Sequence, residues 1–377
     1  MQKTTAMPKA SPLAQPLARP LNGVRVVEFA GIGPVPFCGM LLADMGADVV
    51  RIDRPGTGGD PKADLQGRGK RSIALDLKSE QGTKTALALM AKADLLMEGF
   101  RPGVMERLGL GPKLALQDNP TLVYGRMTGW GQDGPMATQA GHDINYIAIT
   151  GALGAMGPAN QPPPLPLNLL GDYGGGALYL AIGLLAGLTH ARTSGQGQVI
   201  DAAIVDGTIS LMTPIHWLKQ SGMWQNERQA NLLDGAAHFY ATYTCADGKH
   251  ISVGAIEPQF YNVLCDKLNL SKEIQDAQYD QDKWPVFKAQ LAGVFAAHPQ
   301  EHWTQLFAGT DACVAPIEDM LSAAEHPQLK ARNSFVKPDG ILQPAPAPRF
   351  SKTPSHIGGP PPQIDGDREA ILADWNV

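Results

Sequence analysis

Val24-Arg-Val-Val-Glu-Phe-Ala30, then Gly31-Ile-Gly33, then the apolar segment from Pro36 to Met45, is the stretch whose reading decides the fold. Its β-branched first piece predicts a strand. Its last piece predicts a helix closed by Gly46, where a left-handed cap is wanted. Residues 47–53 read as a second strand, so the chain opens as strand, turn, helix, strand. Downstream, Ser79 begins a helix whose Ala86, Leu89, Met90 and Ala93 share one face. Further strands are expected over 94–97, 121–127 and 198–204, with Asp206 opening another helix. Strands alternating with helices predict an α/β fold, a parallel sheet covered on both faces.

The rest of the chain divides by texture. A glycine-rich turn from Gly171 leads into an apolar helix that stops near Ser194-Gly195. Its apolar stretch, 177–188, is interrupted by Gly183 and Gly187 and reads as too short to cross a bilayer, so a buried helix is expected and no membrane partner. Beyond Asn231, residues 239–244 and 250–255 around Asp247-Gly248 predict a hairpin, followed by a helix over 259–268 and helical pattern over 283–307. Residues 338–362 are proline-dense and must run extended before a last short helix over 367–375. The expected organisation is a loose tail over 1–20, a large domain over 21–230, a small α+β domain over 236–325, and a return over 326–377 that completes the large domain.

With 377 residues, 44% of them hydrophobic and 18% charged, the chain holds enough apolar material for one large domain or two ordinary ones. A formal charge of −5 argues against bulk nucleic-acid binding, which needs a basic balance. Cys38, Cys245, Cys265 and Cys313 lie far apart, with no CxxC and no histidine at ligand spacing. They predict reduced thiols in a cytoplasm, without a disulfide framework or a metal centre. The first twenty residues lack the apolar run of a signal peptide.

Gly31-Ile-Gly33, with Asp53 twenty residues beyond, imitates a dinucleotide fingerprint. It fails at the third glycine, where Pro36 stands, and Pro34 removes a donor that a pyrophosphate would use. A tight turn between strand and helix is the plainer reading. Arg51, Arg54, Arg68, Lys70, Arg71, Lys78, Arg101 and Arg107 form a basic cluster in an otherwise acidic chain. Each alone suits a solvated surface. Together, several are expected to converge where strands of an open parallel sheet end and ligands bind, and guanidinium forks suit phosphate oxygens. A polyphosphate ligand is expected.

Gly141-His142-Asp143-Ile144-Asn145-Tyr146 sets a histidine beside a helix start. Leu170-Gly171-Asp172-Tyr173-Gly174-Gly175-Gly176 sets an aspartate just before a second one. Asp143 and Asp172 fit helix caps, and His142 fits a structural histidine. The glycine run also admits a ligand to a helix N-terminus, which favours developing negative charge such as that of a thioester enolate. Inversion through a planar enolate needs one base on each face, and a histidine with a carboxylate can supply them. Glu257 fits either a hydrogen-bonding neighbour of His142 or a plain carboxylate at a helix start.

Through these two segments, and through Glu28-Phe-Ala-Gly-Ile-Gly-Pro34, Val49-Val-Arg-Ile-Asp-Arg-Pro55, Glu98-Gly-Phe-Arg-Pro-Gly103 and Met127-Thr-Gly-Trp-Gly-Gln132, the chain resembles the family III CoA-transferase superfamily and, within it, the α-methylacyl-CoA racemases. The resemblance runs from Leu21 to Trp375. It implies a Rossmann-like large domain, a small α+β domain, and two chains threaded through each other as an interlocked homodimer. It implies that coenzyme A, part of a 2-methylacyl-CoA substrate and not a separate cofactor, is held by Arg54, Leu75, Asp76, Leu77, Lys78, Gly99, Phe100, Arg101 and Arg107, and by Gly141, Asp143, Ile144, Asn145 and Tyr146. By the same carry-over His142 and Asp172 are the paired bases that interconvert the (2R) and (2S) thioesters. Glu257 belongs to the histidine's network, in the same chain or in the partner. Phe100 stands where relatives often have tyrosine. The rival within the superfamily is a CoA-transferase whose aspartate, matching Asp172, attacks the thioester. Transferases usually have an aromatic residue where His142 stands and a glycine run in place of Ala255-Ile256-Glu257, so both departures favour proton transfer. A non-catalytic relative is a third reading, and the intact His142 and Asp172 pair counts against it.

Overall fold

In the computed structural model residues 19–58 and 60–377 are described, and residues 1–18, most of the expected tail, lie outside them. The opening unit forms as β1 (Arg25–Phe29), α1 (Pro34–Asp44) and β2 (Asp48–Asp53). α1 starts at Pro34, before the expected Pro36, because proline is at home in a first turn where its missing N–H has no partner to lose. β3 (Arg71–Ala74), α2 (Glu80–Met90), β4 (Leu95–Glu98), α3 (Val104–Arg107), α4 (Pro112–Asp118) and β5 (Val123–Thr128) follow. After α5 (Asp143–Ile149) and a π-helical segment, Leu169–Ala177, come α6 (Leu178–Ser194) and β6 (Gln198–Ala203).

The six strands make one parallel sheet in the order β3-β2-β1-β4-β5-β6. β1 is central, with Val27 beside Val50 on one side and Leu96 on the other. Most of these strands are buried on both faces, which is why they read as continuous apolar runs. β3 is the strand that the sequence pattern does not announce. It is four residues long, opens on an arginine and sits inside the basic cluster.

The helical run from Leu169 to Ser194 is longer than expected: the π-helical turn extends α6 to 26 residues, long and apolar enough to cross a bilayer by length and composition alone. The expectation that the stretch is too short is therefore corrected. Its packing is that of a helix lying on a sheet. A Cβ on Gly183 would come 2.7 Å from Ile200, and one on Gly187 would come 2.6 Å from Val123, so these glycines let α6 approach β6 and β5 closely. Leu180 and Leu184 are buried on that side.

Beyond the sheet run α7 (Ile204–Leu211), α8 (Thr213–Gln220), β7 (Tyr240–Thr244), β8 (His250–Gly254), α9 (Pro258–Lys267), α10 (Lys272–Asp276), α11 (Trp284–Phe295), α12 (Gln300–Phe307), β9 (Val314–Pro316), α13 (Pro327–Ala331) and, after two short strands, α14 (Arg368–Trp375). β7 and β8 form the expected hairpin, and β9 adds an antiparallel third strand that the sequence did not suggest. Packing gathers the chain into two compact units. One holds the described residues up to Ala140, Asp172–Ile204 and Phe335–Val377; the other holds Gly141–Gly171 and Val205–Ser334. This division cuts across the expected 21–230 span, because 141–171 and 205–230 pack with the second unit. In the first unit the C-terminal return closes the free edge of β3. Asp367 and Asp365 accept from the backbone N–H groups of Ser72 and Ala74 at 2.9 and 2.8 Å, and Trp375 is fully buried in the core.

Candidate active site

The basic cluster separates into two sets, one paired inside the fold and one exposed, and of the exposed set Lys78 and Arg107 line a common cleft. Arg51 pairs with Asp53 and Asp64 at 3.0 and 2.6 Å, Arg68 with Asp44 at 2.6 Å, Lys70 with Glu28 at 2.7 Å, and Arg71 with Asp48. These four are spent on holding the fold. Asp53 also accepts from the Ser72 hydroxyl at 2.6 Å, so this buried carboxylate has no room for a ribose and the dinucleotide imitation ends there. Arg54, Lys78, Arg101 and Arg107 are exposed, and none makes an ion pair among the described residues.

The free set lies where strands end. Arg54 follows β2, and Leu75 donates its N–H to the Asp53 carbonyl at 2.9 Å. Asp76 accepts from the Lys78 N–H at 3.0 Å, and Ser79 caps α2 by accepting from the Gly82 N–H at 3.0 Å. Lys78 and Arg107 line one open cleft of about 630 Å³ together with Leu77, Ser79, Thr83 and Leu87. Lys84 lines it as well and was missed. The signal was available: helical periodicity from Ser79 brings Thr83, Lys84 and Leu87 to the same side of α2. Gly99, Phe100 and Arg101 follow β4, where the Phe100 ring packs edge-on against Phe29 at 6.2 Å. The Phe100 N–H donates at 2.7 Å to Glu98, a fully buried carboxylate that sequence reasoning passed over. Burial pushes the Glu98 carboxyl up to about 7, against the opposing pull of that N–H and of Arg126.

Asp172 is not the helix cap that the glycines suggested. It stands inside the π-helical turn, a form that recurs at functional sites. Its surroundings in the first unit fix that turn. The Tyr173 ring lies 4.7 Å from Phe37 of α1, and the Tyr173 hydroxyl accepts from Gln66 at 3.1 Å. The Asp172 carboxylate lies over Gly33, where a Cβ would come 3.2 Å from Oδ2. Gly33 has φ +71°, so glycine is required there both by conformation and by the closeness of the acid. The Gly31-Ile-Gly33 turn that resembled a nucleotide site thus seats a carboxylate.

In the second unit His142, not Asp143, is the cap of α5. Its backbone N–H donates to the Asn145 side chain at 3.1 Å and its ring is exposed. Asp143 is buried in the first turn against Gly171, where a Cβ would fall 2.3 Å from Oδ1. The Tyr146 hydroxyl donates to the Gly141 carbonyl and closes this loop, and Ile144 is exposed. Glu257 caps α9 through its carbonyl, and its side chain is exposed, without a hydrogen bond or ion pair among the described residues. His142 and Asp172 fall in different units. Among the described residues no three His, Cys, Asp or Glu side chains group so as to hold a metal ion.

The chain is 48% identical to the mouse alpha-methylacyl-CoA racemase over 337 residues, covering 89% of this chain and 87% of that one. It is 44% identical to the human alpha-methylacyl-CoA racemase with the same coverage. A solved CaiB/BaiF family protein from Brucella suis superimposes with a TM-score of 0.80 at 25% identity, covering 95% of this chain and all of that one. The CoA-transferase family III profile matches residues 21–368, and the chain belongs to that family.

Proposed function

We propose that this protein interconverts (2R)- and (2S)-2-methylacyl-CoA thioesters by two-base 1,1-proton transfer. The observation that carries the reading is its 48% identity to the mouse racemase, sustained over 89% of the chain. Fold alone would not decide, because transferases and racemases share it. His142 serves one face of the α-carbon and Asp172 the other, with an enolate between two proton transfers. The CoA nucleotide lies along Arg54, 75–78, 99–101 and Arg107, and the cleft that gathers Leu77, Lys78 and Arg107 supports this. Gly141, Asp143, Ile144, Asn145 and Tyr146 are CoA-contacting residues on the same reading.

A homodimer belongs to the same reading. α8 carries Ile215, Trp217 and Leu218 yet buries no side chain. α6 exposes Leu178 and Ile182, and α7 exposes Ile209 and Leu211. Exposed apolar faces of helices are what a partner covers. Glu257, without a hydrogen bond or ion pair among the described residues, belongs on this reading to the network of His142, in the same chain or in the partner. The free cysteines suit the reducing cytoplasm as the setting.

The test is incubation with one enantiomer of a 2-methylacyl-CoA in heavy water without an acceptor acid. Uptake of deuterium at the α-carbon with loss of optical purity is expected. Thioester exchange onto an added carboxylate, with no α-labelling, would overturn the reading in favour of acyl transfer.

A further inference from the structure

Among the described residues the Arg126 side chain joins Glu98, before the loop that carries Arg101, to Glu106, beside Arg107. It projects from β5 and is nearly buried. Its Nε donates to Glu98 Oε1 at 3.1 Å, and its Nη1 and Nη2 donate to the two Glu106 oxygens at 2.8 and 3.2 Å. Glu98 ends β4, and its other oxygen accepts the Phe100 N–H at 2.7 Å, which fixes the start of the Gly99–Arg101 loop. Glu106 is the residue before Arg107 in α3, and Gly111 leaves room for it, since a Cβ there would come 2.9 Å from Glu106 Cγ. One guanidinium therefore sets the spacing between the loop bearing one phosphate-seeking cation and the helix bearing the other. Only a planar fork does this; an ammonium is a point charge that cannot hold two carboxylates in two directions at fixed angles.

We propose that Arg126 is a positioning residue for coenzyme A: through Glu98 and Glu106 it holds Arg101 and Arg107 at the separation that the nucleotide phosphates require. The proposal rests on the CoA reading of this site. It also gives the site a sensitivity to pH. The groups facing Glu98 are Arg126 and Tyr124 of β5, Glu106 of α3 and the Phe100 N–H. With its carboxyl raised to about 7, Glu98 takes up a proton as pH falls through neutrality, and its hold on Arg126 weakens.

The experiment measures CoA binding by calorimetry, and KM and kcat for α-proton exchange, between pH 6 and 8.5 on the full chain. The wild type is compared with Arg126→Lys and Glu98→Gln, each checked by thermal unfolding and circular dichroism. Arg126→Lys is expected to weaken CoA binding about tenfold or more and to raise KM far more than it lowers kcat. Glu98→Gln is expected to flatten the loss of CoA affinity that the wild type shows below pH 7. Should Arg126→Lys not fold, Glu98→Gln carries the test alone through that pH profile. Wild-type CoA affinity in Arg126→Lys, or a pH profile unchanged in Glu98→Gln, overturns the proposal while leaving the CoA reading intact. Failure of the wild type itself to bind CoA overturns that reading, and this proposal with it.

Discussion

Asp172 and His142 stand in opposite kinds of setting. Asp172 lies in a wide helical turn pinned by Tyr173 on Phe37, and its carboxylate is seated over Gly33 of the first unit. His142 caps a seven-residue helix with its ring in solvent, held by backbone bonds to its carbonyl and by the Asn145 side chain on its N–H. The two units differ in the same sense. The first carries buried ion pairs beneath its site, Lys70 with Glu28, Arg68 with Asp44 and Arg126 with Glu98. The ion pairs of the second are exposed, and an aromatic core around His238 holds it together. Of the two proposed bases, one is built into its unit and the other is presented by it.

The contrast is tested most sharply by removing each proposed base. Asp172→Asn and His142→Ala are each expected to slow racemisation by about 10²–10⁴, the range for a general acid–base group. With one base gone, the other still removes the hydrogen that faces it and returns a deuteron to the same face. Each variant should therefore exchange the α-hydrogen of one enantiomer only, and the two variants should choose opposite enantiomers. Chiral analysis with mass spectrometry in heavy water reads this directly. Loss of exchange from both enantiomers in one variant would break the two-face arrangement.

The built-in setting of Asp172 extends below α1. Lys70 Nζ donates to Glu28 of β1 at 2.7 and 2.8 Å and to the Pro36 carbonyl at 3.0 Å, all fully out of solvent. It thereby ties the first turn of α1, whose leading Gly33 faces Asp172, to the central strand. Burial drives the Glu28 carboxyl upward, and Lys70 opposes that drive. Lys70→Ala leaves a buried carboxylate without its partner and should cost about 3–5 kcal/mol, while replacing both residues by apolar ones of similar size should recover most of it. Denaturant unfolding followed by amide exchange of β1 and β2 reports on this unit. Equal losses in the single and double variants would show that the pair, rather than the orphaned charge, supplies the stability.

Much of this fold could be read from the chain, and the reasons are local. β1, β2, β4 and β5 are buried on both faces, and Ser79, Gly46 and Gly195 mark helix ends by chemistry that needs no tertiary context. What could not be read depends on distant partners. The basic residues divide into structural and free ones only through carboxylates such as Glu28 and Asp44, 42 and 24 residues away from Lys70 and Arg68. The π-helical turn of Asp172 is invisible because Gly-Asp-Tyr-Gly-Gly-Gly reads as a loop with a cap. It becomes a wide helix where Tyr173 meets Phe37 and Gln66. His142 and Asp172 were legible as reactive residues by type, whereas the residues that hold them were not.

The aromatic core of the second unit carries its own sensitivity to pH. His238 is fully buried among Phe239, Tyr261 and Phe287, and burial lowers its ring from the ordinary 6.5 to about 4. The Tyr261 hydroxyl donates to the Ile274 carbonyl at 3.0 Å and lies 2.6 Å from His238 Nε2. Nε2 then carries the ring proton, and Nδ1 has no partner among the described residues. Above pH 6.5 the ring is neutral folded or unfolded, and the burial costs no stability through protonation. Between 6.5 and 4 only the unfolded chain takes the proton, so stability falls, by about 1.4 kcal/mol per pH unit and about 3 kcal/mol in all. Amide exchange of the β7 and β8 hairpin should show this loss, and His238→Gln should flatten it. A hairpin equally protected at pH 7 and pH 4.5 would place the weak point of the second unit elsewhere.

The smallest effect concerns the side-chain bond that steadies His142 from within its own unit. Asn145 is the third residue of α5 and its side chain reaches back to accept the His142 N–H at 3.1 Å, half of a capping box. Losing that acceptor in Asn145→Ala should cost about 1 kcal/mol of local helix stability, an amount typical of a cap. A loosened cap lets the imidazole drift, whereas the Asp172 turn, held by Tyr173 and Gly33, has no share in that bond. Exchange from the enantiomer whose hydrogen faces His142 should therefore slow a few-fold, with exchange from the other enantiomer nearly unchanged. Asn145→Asp keeps an acceptor in place and should restore the balance. If Asn145→Ala slows both enantiomers alike, Asn145 acts through substrate binding, and the difference between a base that is built in and a base that is presented is smaller than the geometry indicates.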